Sequence, residues 1–206
     1  MTLDVSPSAR VSRRSLPRFS AVRAAALALL GGLVLSTAVI LRCAAAPQAD
    51  AQQPCRLVAL GDVHGDVHNA RRALHAARIV DNHGAWVGGC STLVQTGDLV
   101  DRGPGSLEAL DYFATLEHQA REDGGRVILL LGNHEVMNML GDASYVSPFE
   151  LNKAGGADKW RTLFHPRRGK YGMQLASRRV VWSERGIVFV HAGVLPEFAA
   201  MGIAGM

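Results

Sequence analysis

Four short corners carry the polar chemistry of this chain. Asp62 and His64 sit in Gly61-Asp62-Val63-His64-Gly65. Asp98, Asp101 and Arg102 sit in Gly97-Asp98-Leu99-Val100-Asp101-Arg102-Gly103. Asn133, His134 and Glu135 follow Gly132, and His191 opens His191-Ala192-Gly193. Asp62, His64, Asp98, Asn133 and His191 are oxygen and nitrogen donors without a thiolate among them, a mix that suits manganese, iron or zinc. Two carboxylates, two imidazoles and an amide exceed the needs of one cation. They suit a pair about 3.5–4 Å apart, with one carboxylate bridging. Such a pair makes a shared water nucleophilic at neutral pH and clamps phosphoryl oxygens during in-line attack.

The corners share a position in the pattern. Each follows a short apolar run: "RLVAL" at 56–60, "STLVQT" at 91–96, "RVILLL" at 126–131 and "GIVFV" at 186–190. Between the first three runs lie helical periodicities at 67–80 (Val67, Ala70, Leu74, Ala77, Ile79) and 106–122 (Leu107, Leu110, Phe113, Leu116). Strand, helix, strand, helix, strand predicts an α/β fold with a mostly parallel sheet covered by helices. Ligand sites in such sheets lie outside the carboxyl ends of the strands. Four polar corners at one edge of one sheet would therefore meet in a single crevice.

Composition bounds the alternatives. The chain has 206 residues, 48% of them hydrophobic, enough for one domain with a proper core. Its net charge of +4 belongs to the N-terminus, where residues 1–49 hold six arginines against Asp4 alone. The remainder is close to neutral, so no nucleic-acid partner is expected. Residues 1–23 form a basic segment. Residues 24–41, "AAALALLGGLVLSTAVIL", are long and apolar enough for a signal anchor, and a cleaved signal peptide or mitochondrial targeting are the alternatives. An anchor would hold the arginines on the cytosolic side and the body in the lumen or outside the cell, with the membrane as a partner. A linker at 42–55 leads into the body at 56–206. Cys43, Cys55 and Cys90 lack metal-type spacing and the C-x5-R phosphate loop; a Cys55–Cys90 disulfide and free buried thiols are both open.

G-D-x-H-G, G-D-x-V-D-R-G, G-N-H-E and H-A-G, in this order over about residues 56–195, resemble the calcineurin-like metallophosphoesterases of the phosphoprotein phosphatase superfamily. "LLLGNHEVMNMLGDASYV" is closer to the Shewanella-like phosphatase branch. Dinucleoside polyphosphate hydrolases usually carry N-H-D where this chain has Asn133-His134-Glu135. The resemblance implies a sheet sandwich flanked by helices and two divalent cations (manganese, iron or zinc). Asp62 and His64 would bind the first cation, Asp98 both, and Asn133 and His191 the second. His134 would protonate the leaving group with Asp101 orienting its ring, Arg102 and Asn133 would bind the phosphate, and water would attack directly. The family also places a further metal-binding histidine, and usually a second arginine, well beyond the H-A-G block. The chain stops at Met206, and His165 lies in the wrong order to serve. The expectation is thus a C-terminally truncated domain whose second metal site is short of a ligand.

Bland roles fit other residues better. Glu135 reads as a helix-start or supporting residue, His68 and His75 as surface residues, and "HPRRGK" at 165–170 as a solvated loop. Asp142 and Tyr145 are candidates for shaping the pocket. The expected activity is phosphomonoester hydrolysis, on phosphoprotein Ser/Thr or Tyr or on a small phosphoester. Nucleotide polyphosphate or RNA-cap hydrolysis is one alternative, disfavoured by an aromatic content of 6%. A catalytically dead remnant acting as a binding module is the other.

Overall fold

The structure is a computed structural model that describes residues 55–203 and residue 205. The segments expected at 1–23, 24–41 and most of 42–55, with Cys43, lie outside the described residues. Among the described residues no helix is long and apolar enough to cross a membrane.

Three strands, β1 (Leu57–Leu60), β2 (Thr92–Gln95) and β3 (Arg126–Leu129), form a parallel sheet in the order β1-β2-β3. The central strand is buried along its whole length, as a strand covered on both faces must be. Leu60, Gln95 and Leu129 lie in register across the sheet. The first three polar corners therefore leave the sheet side by side.

Helix α1 (Val67–Ala76) buries Val67, Ala70 and Leu74 at helical spacing, and Asp66 caps it by accepting from the Asn69 N–H at 3.0 Å. It stops short of residue 80, because Arg78 turns left-handed (φ 55°) and Val80 bridges to Trp86 instead. The apolar pair Ile79-Val80 belongs to the core but not to the helix. Helix α2 (Ser106–Glu122) follows its expected bounds, with Leu110, Phe113 and Leu116 buried.

Four short helices come next: α3 (Asn133–Met139), α4 (Pro148–Ala154), α5 (Ala157–Phe164) and α6 (Lys170–Leu175). Trp160 stacks on Phe164, and Phe164 on Tyr171, closing the core beneath α3.

The fourth run departs from expectation. Residues 187–190 do not extend the parallel sheet. They form β5 (Ile187–Val190), paired antiparallel with β4 (Val181–Glu184) through a turn at Arg185-Gly186, both at positive φ. A two-residue turn of that kind matches the twist of a hairpin. The hairpin meets the sheet through the Leu130–Arg179 bridge and through Glu184, which accepts from Thr92 and Arg126. Helix α7 (Pro196–Met201) follows. A disulfide joins Cys55 to Cys90, pinning the start of β1 to the approach to β2.

Candidate active site

The corners converge. Asp98 is the hub, 2% exposed, with its Oδ2 at 3.3 Å from His191 Nε2, 3.6 Å from His64 Nε2 and 4.0 Å from His134 Nε2. Asp62, half exposed, lies 3.6 Å from His64 and 3.8 Å from His191. The donor atoms fall into two groups, His64–Asp98–His134 and Asp62–Asp98–His191, with Asp98 common to both. Asn133 Oδ1 is 3.0 Å from His191 Nε2 and so faces the second group. Although β5 lies outside the parallel sheet, His191 still arrives. Its Nδ1–H donates to the Thr96 carbonyl at 3.2 Å, just past β2.

The backbone is bent to make this possible. Of the six non-glycine residues at positive φ among the described residues, four are His64, Asp98, Asp101 and Arg102. Such conformations each cost of order 1 kcal/mol or more and persist where the surroundings impose them. Glu135 is what imposes the Asp98 turn. It is 1% exposed and accepts from the backbone N–H groups of Leu99 (2.7 Å), Asp98 and Gly132 (both 2.8 Å) and Val100 (3.2 Å). Burial raises its pKa, and the N–H donors hold that rise back. Gly132 is required as well, since any Cβ there would collide with the Asp98 carboxylate.

The donor set fits divalent cations. His64 donates Nδ1–H to the Val100 carbonyl at 3.0 Å, which leaves Nε2 as a lone pair pointing inward. That Nε2 is buried and has no hydrogen-bond partner. A buried orphan acceptor between two carboxylates is what a cation ligand looks like without its cation.

His134 is arranged differently. Its Nδ1–H donates to Asp101 Oδ2 at 2.7 Å, and Arg102 Nη2 lies 3.1 Å from its Nε2. A guanidinium only donates, so Nε2 is the acceptor in that contact. Tyr145 presents its ring edge-on to His134 with centroids 5.1 Å apart, and its carbonyl accepts from the Arg102 N–H.

Residues to which the sequence analysis gives no role complete the site. Asn138 and Ser106 bind Asp101 directly, and Trp160 binds Asn138. Their spacing carries no signal, because a helix-interior Asn and a buried Trp read as packing. His165 turns to the Arg167 backbone instead, and His68 and His75 are exposed. Asp142 binds Ser144 in its own turn.

Comparison with known proteins identifies the family. Residues 55–200 match the calcineurin-like phosphoesterase family. An uncharacterised protein of Schizosaccharomyces pombe is 40% identical over 74% of this chain and 48% of its own length. Shewanella-like protein phosphatase 2 of Arabidopsis thaliana is 42% identical over 47% of this chain and 25% of its own. A symmetrical bis(5'-nucleosyl)-tetraphosphatase of Methylobacillus flagellatus is 30% identical over 69% of this chain and 44% of its own. The solved cold-active protein-tyrosine phosphatase of a psychrophilic Shewanella species superimposes with a TM-score of 0.61 at 29% identity, over 73% of this chain and 47% of that one. The chain thus spans about half or less of the length of these relatives.

Proposed function

Because the chain belongs to the calcineurin-like phosphoesterase family, we propose that it is a metal-dependent phosphatase that hydrolyses phosphomonoesters, those of phosphoproteins first, by direct attack of water. One observation carries the reading: a single buried carboxylate, Asp98, faces both His64 and His191, with Asp62 beside the same two rings. Asp62, His64, Asp98, Asn133 and His191 would hold two divalent cations, manganese, iron or zinc, with Asp98 available to both. Such a pair would supply an activated water and offset phosphoryl charge.

The chain's own groups do the rest. Arg102, an exposed residue, turns from His134 onto the phosphate oxygens and grips them as a fork. The Asn133 amide, whose NH2 makes a long contact of 3.9 Å to the Met137 sulfur, reaches the same oxygens. Release of Nε2 by Arg102 lets His134 take up a proton from solvent there and pass it to the leaving oxygen, while Asp101 holds the opposite edge of the ring.

The phosphatase relatives and the Tyr145 ring beside His134, which would flank an aryl or peptide leaving group, support phosphoproteins as substrate. The tetraphosphatase relatives favour a second reading, hydrolysis of a dinucleoside polyphosphate. The Cys55–Cys90 disulfide supports a body working in an oxidising compartment beyond a membrane that residues 24–41 anchor to or pass through, with mitochondrial targeting as the alternative.

The manganese-loaded chain, offered phosphotyrosine, phosphoserine and phosphothreonine peptides beside diadenosine tetraphosphate, separates these readings. Inorganic phosphate released from a peptide at a kcat/KM well above that for the dinucleotide is expected. Turnover of the dinucleotide alone would replace the phosphoprotein reading with the second one.

A further inference from the structure

The His134–Asp101 pair does not stand alone. Asn138 Nδ2 lies 2.9 Å from both carboxylate oxygens of Asp101 and 2.9 Å from the His134 carbonyl. On its other side, Asn138 Oδ1 accepts from Trp160 Nε1–H at 2.6 Å. Asn138 is 1% exposed and Trp160 is fully buried, so no solvent can replace either bond.

The amide's orientation follows from chemistry alone. An indole nitrogen only donates and an ionised carboxylate only accepts. The Asn138 oxygen must therefore face Trp160 and its nitrogen must face Asp101. Trp160 in turn cannot rotate, being stacked on Phe164 at 4.8 Å within the core. Ser106 Oγ fixes the Asp101 backbone by accepting its N–H at 2.9 Å, but among the described residues only Asn138 and His134 reach the carboxylate itself.

We propose that Asn138, oriented by Trp160, is a positioning residue that sets the Asp101 carboxylate square to His134 and so aims His134 at the leaving-group oxygen. The relay runs Trp160, Asn138, Asp101, His134, from the hydrophobic core to the mouth of the site. It rests on the phosphatase reading for its catalytic consequence but not for its geometry.

The test therefore has two independent readouts on the full chain. In the metal-free protein, the His134 Nδ1 proton, assigned by its loss in Asp101→Asn, should be visible by NMR and protected from exchange. Asn138→Leu, close in shape, should expose it to faster exchange or abolish the signal. Trp160→Phe keeps the stacking and should weaken the same signal less, which preserves the test if Asn138→Leu folds poorly. An unchanged Nδ1 proton in these variants overturns the proposal. With manganese, Asn138→Leu should lose about 10- to 100-fold in kcat with little change in KM. The loss should grow as the aryl phosphate's leaving group becomes more basic. An equal loss across the leaving-group series would mean a merely structural residue and would also overturn it. Absence of turnover in the unsubstituted chain would sink the phosphatase reading and leave the ring proton to decide this one.

Discussion

At the residue scale, the site is a set of donors whose freedom has been removed in advance. His64 and His191 each give one ring nitrogen to a carbonyl, at Val100 and Thr96, and offer the other inward. This fixes the tautomer that a cation requires. Glu135 holds the Asp98 turn by accepting four backbone N–H groups. Glu135→Gln keeps the shape but turns an NH2 group toward some of those donors. It should cost about 1–3 kcal/mol in a denaturant titration. It should also weaken manganese affinity about tenfold or more by isothermal titration. Gly132→Ala should be worse for metal, since its Cβ would displace the Asp98 carboxylate. The motif donors were legible in the sequence because glycines and acids recur there after apolar runs. Asn138 and Trp160 were not, because they lie 22 residues apart and only the packing of α5 beneath α3 makes them partners.

At the element scale, three parallel strands in register bring three corners together, and a hairpin brings the fourth. The parallel part was readable because helical periodicities separate the runs. The hairpin was not, because an apolar run such as Ile187–Val190 does not state its partner, and the signal lay in the Arg185-Gly186 turn. The disulfide closes a loop of 35 residues around α1. Reduction should cost about 3–4 kcal/mol on the chain-entropy account, read from denaturation with and without reductant. The α1 cap gives a pH signature. Backbone and side-chain hydrogen bonds from Asn69 hold the Asp66 pKa below its ordinary 3.8. A depressed acid stabilises the fold above its ordinary pKa and loses that contribution as pH falls through the lowered value. Asp66→Ala should therefore lower the protection factor of the Asn69 amide near neutrality and leave that factor unchanged on acidification below pH about 4, where the unsubstituted chain's falls.

At the scale of the whole molecule, charge divides along the sequence. The basic excess belongs to residues 1–49, and the body that carries the site is nearly neutral. Cations binding the folded state alone should raise the melting temperature. The gain is about 2.7 kcal/mol at 100 times the dissociation constant. A chelator should reverse it, and Asp98→Asn should lack it. The central claim is that Asp98 serves two cations at once. Its most direct test is bound manganese per chain, measured together with aryl phosphate hydrolysis, for the unsubstituted protein and Asp98→Asn. Two metals per chain, with both metal and turnover lost in Asp98→Asn, is the predicted result. One metal or none, without turnover, would contradict it.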